Sequence, residues 1–203
     1  MQNTFQQISL YGRLLGASFY YEPSDSRIAG VLDFFRQPTW TQEWEIPLEE
    51  KACEKITALI NQGLTQDLTE QYQNLFIGPN ELVAPPWGSV YLDPECVIFG
   101  NSLLALRDFL KCHQIAFQAQ QDEPEDHIGL MLMLAAYLAE TRPHLLVEFL
   151  SQHLLTWAPH FLTKLANVEN HPFYQGLAQL TLITLDDWKQ KLSLSVPDVR
   201  FYR

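Results

Sequence analysis

The chain contains 203 residues, 47% of them apolar, and has a formal net charge of −11 with an isoelectric point near 4.8. Because phosphate binding relies on Lys and Arg, this charge argues against nucleic acid as a partner and favours a basic peptide or basic protein surface. No Gly/Ser-rich or charged run divides the sequence, so we expect one domain over residues 1–203.

Helical periodicity recurs along the whole chain, and no run of alternating β-branched residues competes with it. The predicted fold is therefore all-α, a single-domain globular bundle of about nine to eleven helices. The first helix follows an apolar stripe from Phe5 to Phe19 and is ended by Glu22-Pro23. Later helices are predicted over about 26–35, 48–63, 66–76, 102–112, 124–140, 143–155, 159–168 and 172–192.

The helical pattern breaks over residues 77–96, where four prolines and two glycines predict one long irregular loop. Ordered loops of this length are often functional.

A second unusual segment, residues 122–127, places four acids and His127 around Pro124. We expect Pro124 in the first turn of the next helix, with Asp122 or Glu123 as its cap. Four neighbouring carboxylates repel one another and exceed what a cap requires, so the surplus favours a cationic partner. The helix that follows is apolar almost all round, which predicts a place in the middle of the bundle.

Residues 1–8 contain neither the cationic region nor the apolar run of an export signal, so we expect a cytoplasmic protein. The most apolar stretch, 128–139, is shorter than the roughly 20 residues that cross a bilayer, which argues against stable membrane insertion. Cys53, Cys96 and Cys112 are odd in number and lack CxxC spacing, as is typical of reduced thiols. Neither they nor the histidines predict a metal site.

Three sequence blocks occur in an informative order: Tyr72-x-x-Leu75-Phe76-x-Gly78-Pro79, then Pro85-Pro86-Trp87-Gly88-Ser89-Val90-Tyr91-Leu92-Asp93 with Phe99-Gly100, then Glu123-Pro124-x-Asp126-His127. Together they resemble the TorD/DmsD family, the cytoplasmic maturation chaperones of exported molybdoenzymes, and most of all its dimethyl sulfoxide reductase branch. Residues 12–17 and 171–175 also look similar to that family, so the resemblance spans most of the chain.

The resemblance implies that the protein binds the twin-arginine leader of a reductase's catalytic subunit. It would hold that subunit until the molybdenum cofactor is inserted and so prevent premature export. The implied partners include the Tat translocase and cofactor-insertion proteins, and the implied state is a monomer or a domain-swapped dimer with no cofactor of its own. The residues that match the family's leader-binding positions are Tyr72, Leu75, Phe76, Pro86, Trp87, Gly100, Glu123, Asp126 and His127.

Two positions depart from the family pattern. The dimethyl sulfoxide reductase branch often has Trp where this chain has Tyr72, and an acid is expected where it has Asn101. Charge matching near Asn101 is therefore in question.

A twin-arginine leader combines basic and apolar segments, so its receptor needs acids beside an apolar groove. We expect Asp126 and Glu123 to meet guanidinium groups, and the apolar side chains to supply most of the affinity. The spacing of Tyr72, Leu75 and Phe76 also fits an ordinary core stripe, of which only the edge would be exposed.

Three alternatives remain open at this point. The first is that the client is a different molybdoenzyme, such as a trimethylamine N-oxide reductase. The second is a small helical hydrolase that uses Asp126, His127 and Glu123 as acid and base. The third is a structural subunit of a larger assembly. The hydrolase is the weaker reading, because Ser89 stands in no nucleophile elbow and no phosphate-binding loop is present. Some family members are thought to bind guanine nucleotide, but no motif here locates such a site.

Overall fold

The computed structural model describes residues 2–116 and 123–203. Within these ranges the chain is all-α, as predicted, and contains no β-strand longer than an isolated bridge. The helices are α1 (Gln2–Tyr20), α2 (Ala29–Arg36), α3 (Trp40–Glu43), α4 (Glu50–Leu64), α5 (Leu68–Tyr72), α6 (Ser89–Leu92), α7 (Asn101–Cys112), α8 (Ile128–Thr141), α9 (Pro143–Phe149), α10 (Ala158–Ala166) and α11 (Pro172–Lys191). A 3₁₀ turn, Ser26–Ile28, precedes α2, and π turns extend α5 over Gln73–Ile77 and α9 over Leu150–Leu154.

The apolar helix α8 lies in the middle of the bundle, which confirms the prediction from its composition. Ten of its residues are buried, and α1 packs along it. The two backbones approach closely at three glycines, Gly12, Gly16 and Gly129. A Cβ on Gly16 would stand 2.7 Å from the carbonyl oxygen of Gly129, and a Cβ on Gly129 would stand 2.7 Å from the carbonyl oxygen of Gly16. The position of the first helix is thus fixed by contact between backbones.

The start of α8 differs from the prediction. Helix α8 begins at Ile128, and Pro124 lies in a turn before it, where its carbonyl accepts the N–H of His127 at 3.1 Å. His127 has an extended conformation and caps the helix through Nδ1, which accepts the N–H of Gly129 at 3.1 Å. Glu123 does not act as the cap, and Asp122 lies outside the described residues.

Other predicted boundaries hold more closely. Pro143 and Pro172 stand in the first turns of α9 and α11, as expected of first-turn prolines. Helix α5 is capped by the carboxylate of Asp67, which accepts the N–H groups of Thr69 and Glu70. The predicted irregular loop over 77–96 is interrupted only by the single turn α6.

Candidate functional site

The Pro-rich loop and the start of α8 are joined by backbone hydrogen bonds. Trp87 and His127 form an isolated antiparallel bridge. On either side of it, the carbonyl of Pro86 accepts the N–H of Ile128 at 2.8 Å, and the carbonyl of Asp126 accepts the N–H of Gly88 at 3.2 Å. Two of the three sequence blocks, separated by about thirty residues, therefore form one structural unit.

His127 is held neutral inside this unit. Its side chain is buried, and burial lowers the pKa of its imidazole to about 3. Because Nδ1 accepts the N–H of Gly129, we assign the ring proton to Nε2. The rings of Tyr20 and Trp87 lie edge-on to the imidazole, with centroids at 5.5 and 6.1 Å. A capping histidine packed in this way is poorly suited to transfer protons near pH 7.

Glu123 closes the outer side of the unit. Its Oε1 accepts the indole N–H of Trp87, and both side chains are only partly buried. Burial raises the pKa of Glu123, and the hydrogen bond from Trp87 opposes that rise. The charge of Glu123 also adds to the raised pKa values of Tyr20 and Tyr72, for which burial is the main cause. An acid therefore stands beside a group of aromatic rings.

Asp126 is placed differently from its neighbours. Its side chain is 4% exposed, and Oδ2 accepts the N–H of Ser89 at 2.7 Å. Burial raises the pKa of this carboxyl, and the bond from Ser89 opposes the rise. Within the described residues, Oδ1 has no hydrogen-bond partner, and no hydrogen bond joins the side chains of Asp126 and His127.

The residues of the first block lie beneath the site. Tyr72, Leu75 and Phe76 are buried, and Pro86 is buried as well, so contact with a ligand would require them to become exposed. The hydroxyl of Tyr72 donates to the carbonyl of Tyr20 at 2.8 Å, which links α5 to the end of α1. The exposed edge of the stripe is Ile77, 61% exposed, in agreement with the prediction that only an edge is accessible.

Gly100 leaves space for a buried carboxylate. Asp93 is 6% exposed and caps α7, since its side chain accepts the N–H of Asn101 at 2.7 Å and the hydroxyl of Ser102 at 2.6 Å. A Cβ on Gly100 would stand 2.2 Å from Oδ2 of Asp93. The chain has Asn101 where an acid was expected, and the backbone N–H of Asn101 donates to the buried carboxylate of Asp93.

Sequence reasoning missed three residues that hold the site together: Tyr20, Ser89 and Asp93. Tyr20 ends α1 and gives no local signal of its contact with His127. Ser89 and Asp93 belong to the second block, but nothing in the sequence alone reveals which backbone groups they meet.

Other predicted classes of site are also addressed by the structure. Across residues 2–116 and 123–203, no group of three or more His, Cys, Asp or Glu side chains is arranged to hold a metal ion. The three cysteines are free thiols. None of the helices in the described ranges is long and apolar enough to cross a membrane.

The model of the family described as "Nitrate reductase delta subunit" matches residues 47–163 of this chain. That match, together with the relatives below, shows that the chain belongs to the TorD/DmsD family of chaperones. It is accordingly a chaperone and not an enzyme.

A protein of Haemophilus influenzae named "Probable Tat proofreading chaperone DmsD" is 72% identical over 100% of both chains. The Tat proofreading chaperone DmsD of Salmonella typhi is 43% identical over 91% of this chain and 90% of its own. A crystal structure of a candidate redox enzyme maturation protein from Archaeoglobus fulgidus is similar in fold, with a TM-score of 0.54, 14% identity, and coverage of 89% of this chain and 93% of that one.

Proposed function

We propose that this protein binds the twin-arginine leader of a molybdoenzyme catalytic subunit, that of dimethyl sulfoxide reductase, and keeps the subunit from premature export while its cofactor is inserted. The proposal places the protein in the cytoplasm, where such leaders are made. It is supported by the names of the relatives, which call them Tat proofreading chaperones. The observation on which it chiefly rests is the unit formed by Trp87, Glu123 and His127.

This unit offers a leader an acid next to aromatic surface. The carboxylate of Glu123 is half-buried and already bonded to the indole of Trp87, so it is oriented before any ligand arrives. A guanidinium group that meets Glu123 gains a charge-assisted hydrogen bond and the faces of nearby aromatic rings. The chain's net charge of −11 would speed the encounter with a basic segment.

The apolar part of a leader requires apolar surface near this acid. The segment that connects α5 and α7, which also carries Trp87, exposes four large apolar side chains, each more than 45% accessible: Ile77, Val83, Val97 and Phe99. Folded proteins bury most side chains of this kind, so a series of them on one connecting segment favours a role in recognition. We therefore assign first contact to the exposed residues and to Trp87, with Tyr72, Leu75, Phe76 and Pro86 as the support beneath.

The test is a calorimetric titration with a synthetic leader of dimethyl sulfoxide reductase. A control peptide keeps both arginines and replaces the apolar run with Ser and Gly, and a third peptide is the leader of trimethylamine N-oxide reductase. Saturable binding of the first peptide alone supports the proposal with its client. Equal binding of the control would reduce recognition to charge attraction, and tighter binding of the third peptide would reassign the client.

Variants of Trp87 define which contacts matter. We expect Trp87→Ala to weaken leader binding more than Asp126→Asn does, because desolvated aromatic contacts supply most of the energy at such interfaces. Trp87→Phe is the matched control, since it keeps an aromatic ring and removes only the bond to Glu123. The opposite ranking of Trp87→Ala and Asp126→Asn would show that charge pairing dominates.

A pull-down separates a leader receptor from a structural subunit. Recovery of the catalytic subunit should be lost when its leader is deleted, and recovery that does not change would favour constitutive assembly. Loss of recovery together with leader binding in the titration would support the receptor.

A further inference from the structure

The segment that follows α11 lies against the Pro-rich loop. The N–H of Tyr202 donates to the carbonyl of Tyr91 at 3.0 Å. Beside that bond, the ring of Phe201 stacks on the imidazole of His160 in α10, with centroids 4.0 Å apart and planes 8° apart. We call residues 199–203 the strap. A backbone bond and a ring stack thus hold the strap in one place.

The side chain of Arg203 joins the strap to a second point of the Pro-rich loop. Its Nη2 donates to the carbonyl of Leu82 at 2.7 Å and to Oε1 of Glu81 at 2.8 Å. The backbone of Arg203 is fixed as well, because Nε2 of His160 donates to its oxygen at 2.8 Å. The side chain of Arg203 is 28% exposed and that of Glu81 is 83% exposed, so the arginine is the packed partner of the pair.

Residues 79–84 of the Pro-rich loop have few other bonds to the protein. Within the described part of the chain, the two bonds from Arg203 are the hydrogen bonds that reach this stretch. Its ends are fixed independently, since the N–H of Gly78 donates to the π turn after α5 and the carbonyl of Pro85 accepts a hydroxyl at 2.7 Å. Ala84 is its only buried residue. Without Arg203, the stretch would keep one buried residue and no hydrogen bond between its ends.

This stretch carries part of the surface that we assign to first contact with a leader. Val83 is 64% exposed, and it directly follows the carbonyl that Arg203 holds. A mobile segment must be ordered when a ligand binds, and the lost conformational freedom lowers the affinity. A segment that is already fixed avoids most of this loss. The contact made by Arg203 therefore prepares Val83 for a ligand.

The position of the strap argues against a role as a blocking segment. Within the described residues, its hydrogen bonds and ring contacts with other parts of the chain go to the Pro-rich loop and to α10. None of them goes to Trp87, Glu123 or His127. A segment that blocked the site would contact those residues, and its loss would strengthen binding. The strap instead supports the Pro-rich loop, so its loss should weaken binding.

We propose that Arg203 is a positioning residue that holds residues 79–84 in place and so fixes Val83 within the surface that meets a leader. The restraint on residues 79–84 rests on the contacts of the strap alone. Its effect on a leader rests on the proposed function. The two parts are therefore measured separately.

The first measurement is nuclear magnetic relaxation of the backbone amides of Leu82 and Val83 in the isotope-labelled protein without a leader. We expect order parameters of about 0.85 in the wild type, as in rigid backbone, and below about 0.6 in Arg203→Ala. Arg203→Lys should restore at least half of the difference, because a Lys ammonium can donate to both oxygens that Arg203 meets.

The matched control is Arg200→Ala, which removes the same charge from the same strap. Arg200 is exposed, and its guanidinium lies over the ring of Tyr202, 5.1 Å from the centroid, without a hydrogen bond to the Pro-rich loop among the described residues. We expect this variant to keep the order parameters of the wild type.

The second measurement is a titration with the leader of dimethyl sulfoxide reductase. Arg203→Ala should bind it about three- to tenfold more weakly, Arg203→Lys should recover most of that loss, and Arg200→Ala should bind as the wild type does. The recovery by Lys distinguishes the contact from a general loss of stability.

Several results would overturn the proposal: unchanged order parameters in Arg203→Ala, equal mobility in Arg200→Ala, or leader binding by Arg203→Ala that equals or exceeds that of the wild type. A wild type that binds no leader, together with mobile residues 79–84 in Arg203→Ala, would contradict the proposed function and support the restraint.

Discussion

Replacement of Gly100 by Ala tests whether this glycine serves to seat the carboxylate of Asp93. The new Cβ would stand 2.2 Å from Oδ2 and 2.3 Å from Cγ of Asp93, separations that atoms do not tolerate. The φ angle of Gly100 is −74°, which any residue adopts, so the conflict is one of space and not of backbone conformation. The side chain of Asp93 must therefore leave the first turn of α7.

The cost follows from the bonds that Asp93 makes there. Loss of a helix cap costs about 0.5–2 kcal/mol. Removing the partners of a buried carboxylate adds about 1–3 kcal/mol. We expect Gly100→Ala to lower the free energy of unfolding by about 1.5–5 kcal/mol, which for a chain of this size is a Tm decrease of roughly 3–20 °C.

The assay is urea-induced unfolding followed by tryptophan fluorescence for the wild type, Gly100→Ala, Asp93→Ala and the double variant. If Gly100 acts through Asp93, the double variant should be more stable than the two single costs predict, by at least about 1 kcal/mol. Additive costs, or a Gly100→Ala variant as stable as the wild type, would refute the reasoning.

Three further predictions concern stability. Burial lowers the pKa of His127 from 6.5 to about 3, so the unfolded chain binds a proton at this residue more readily than the folded chain does. The free energy of unfolding should therefore fall as the pH drops below about 6.5, by up to about 1.4 kcal/mol per pH unit. His127→Asn keeps a capping side chain but removes the titrating group. Its free energy of unfolding, measured with urea, should decline less between pH 6.5 and 4.5 than that of the wild type, and an equal decline in both proteins would contradict this. Phe76→Ala should lower the free energy of unfolding by about 3–5 kcal/mol in the same assay, because Phe76 is buried, and a cost below 1 kcal/mol would show that it is not part of the core. Gly16→Ala should destabilise the protein strongly or prevent folding, as followed by thermal unfolding. Its control is Gly30→Ala, whose new Cβ would have no atom within 4 Å, so stability should stay the same or rise by up to about 1 kcal/mol. Similar effects at both positions would disprove the close contact of α1 and α8.

The sequence predicted the fold class because its signals are local. Apolar spacing marks the helices, and Pro143 and Pro172 mark two of their starts. The start of α8 was predicted incorrectly because it depends on a distant group: the carbonyl of Pro86 accepts the N–H of Ile128, and His127 becomes the cap. No local pattern reveals such a bond.

The same distinction applies to the candidate site. The sequence pointed to Trp87, Glu123 and His127, and the structure brings them together. It did not reveal Tyr20, whose contact with His127 depends on how α1 crosses α8. Nor could it show that the carboxylate of Asp126 turns inward and accepts the N–H of Ser89, since neighbouring residues in an irregular turn point in directions that only the tertiary structure fixes.

The close crossing of α1 and α8 has a consequence for the order of events during translation. Helix α1 is made before the helix against which it packs. At about 5–20 residues per second, Gly129 of α8 follows the end of α1 by roughly 5–22 s. During that interval the apolar stripe of α1 has no backbone partner, and the contact between Tyr20 and His127 does not exist. A nascent chain that stops before α8 would therefore lack the candidate site, which can form only after α8 has been made.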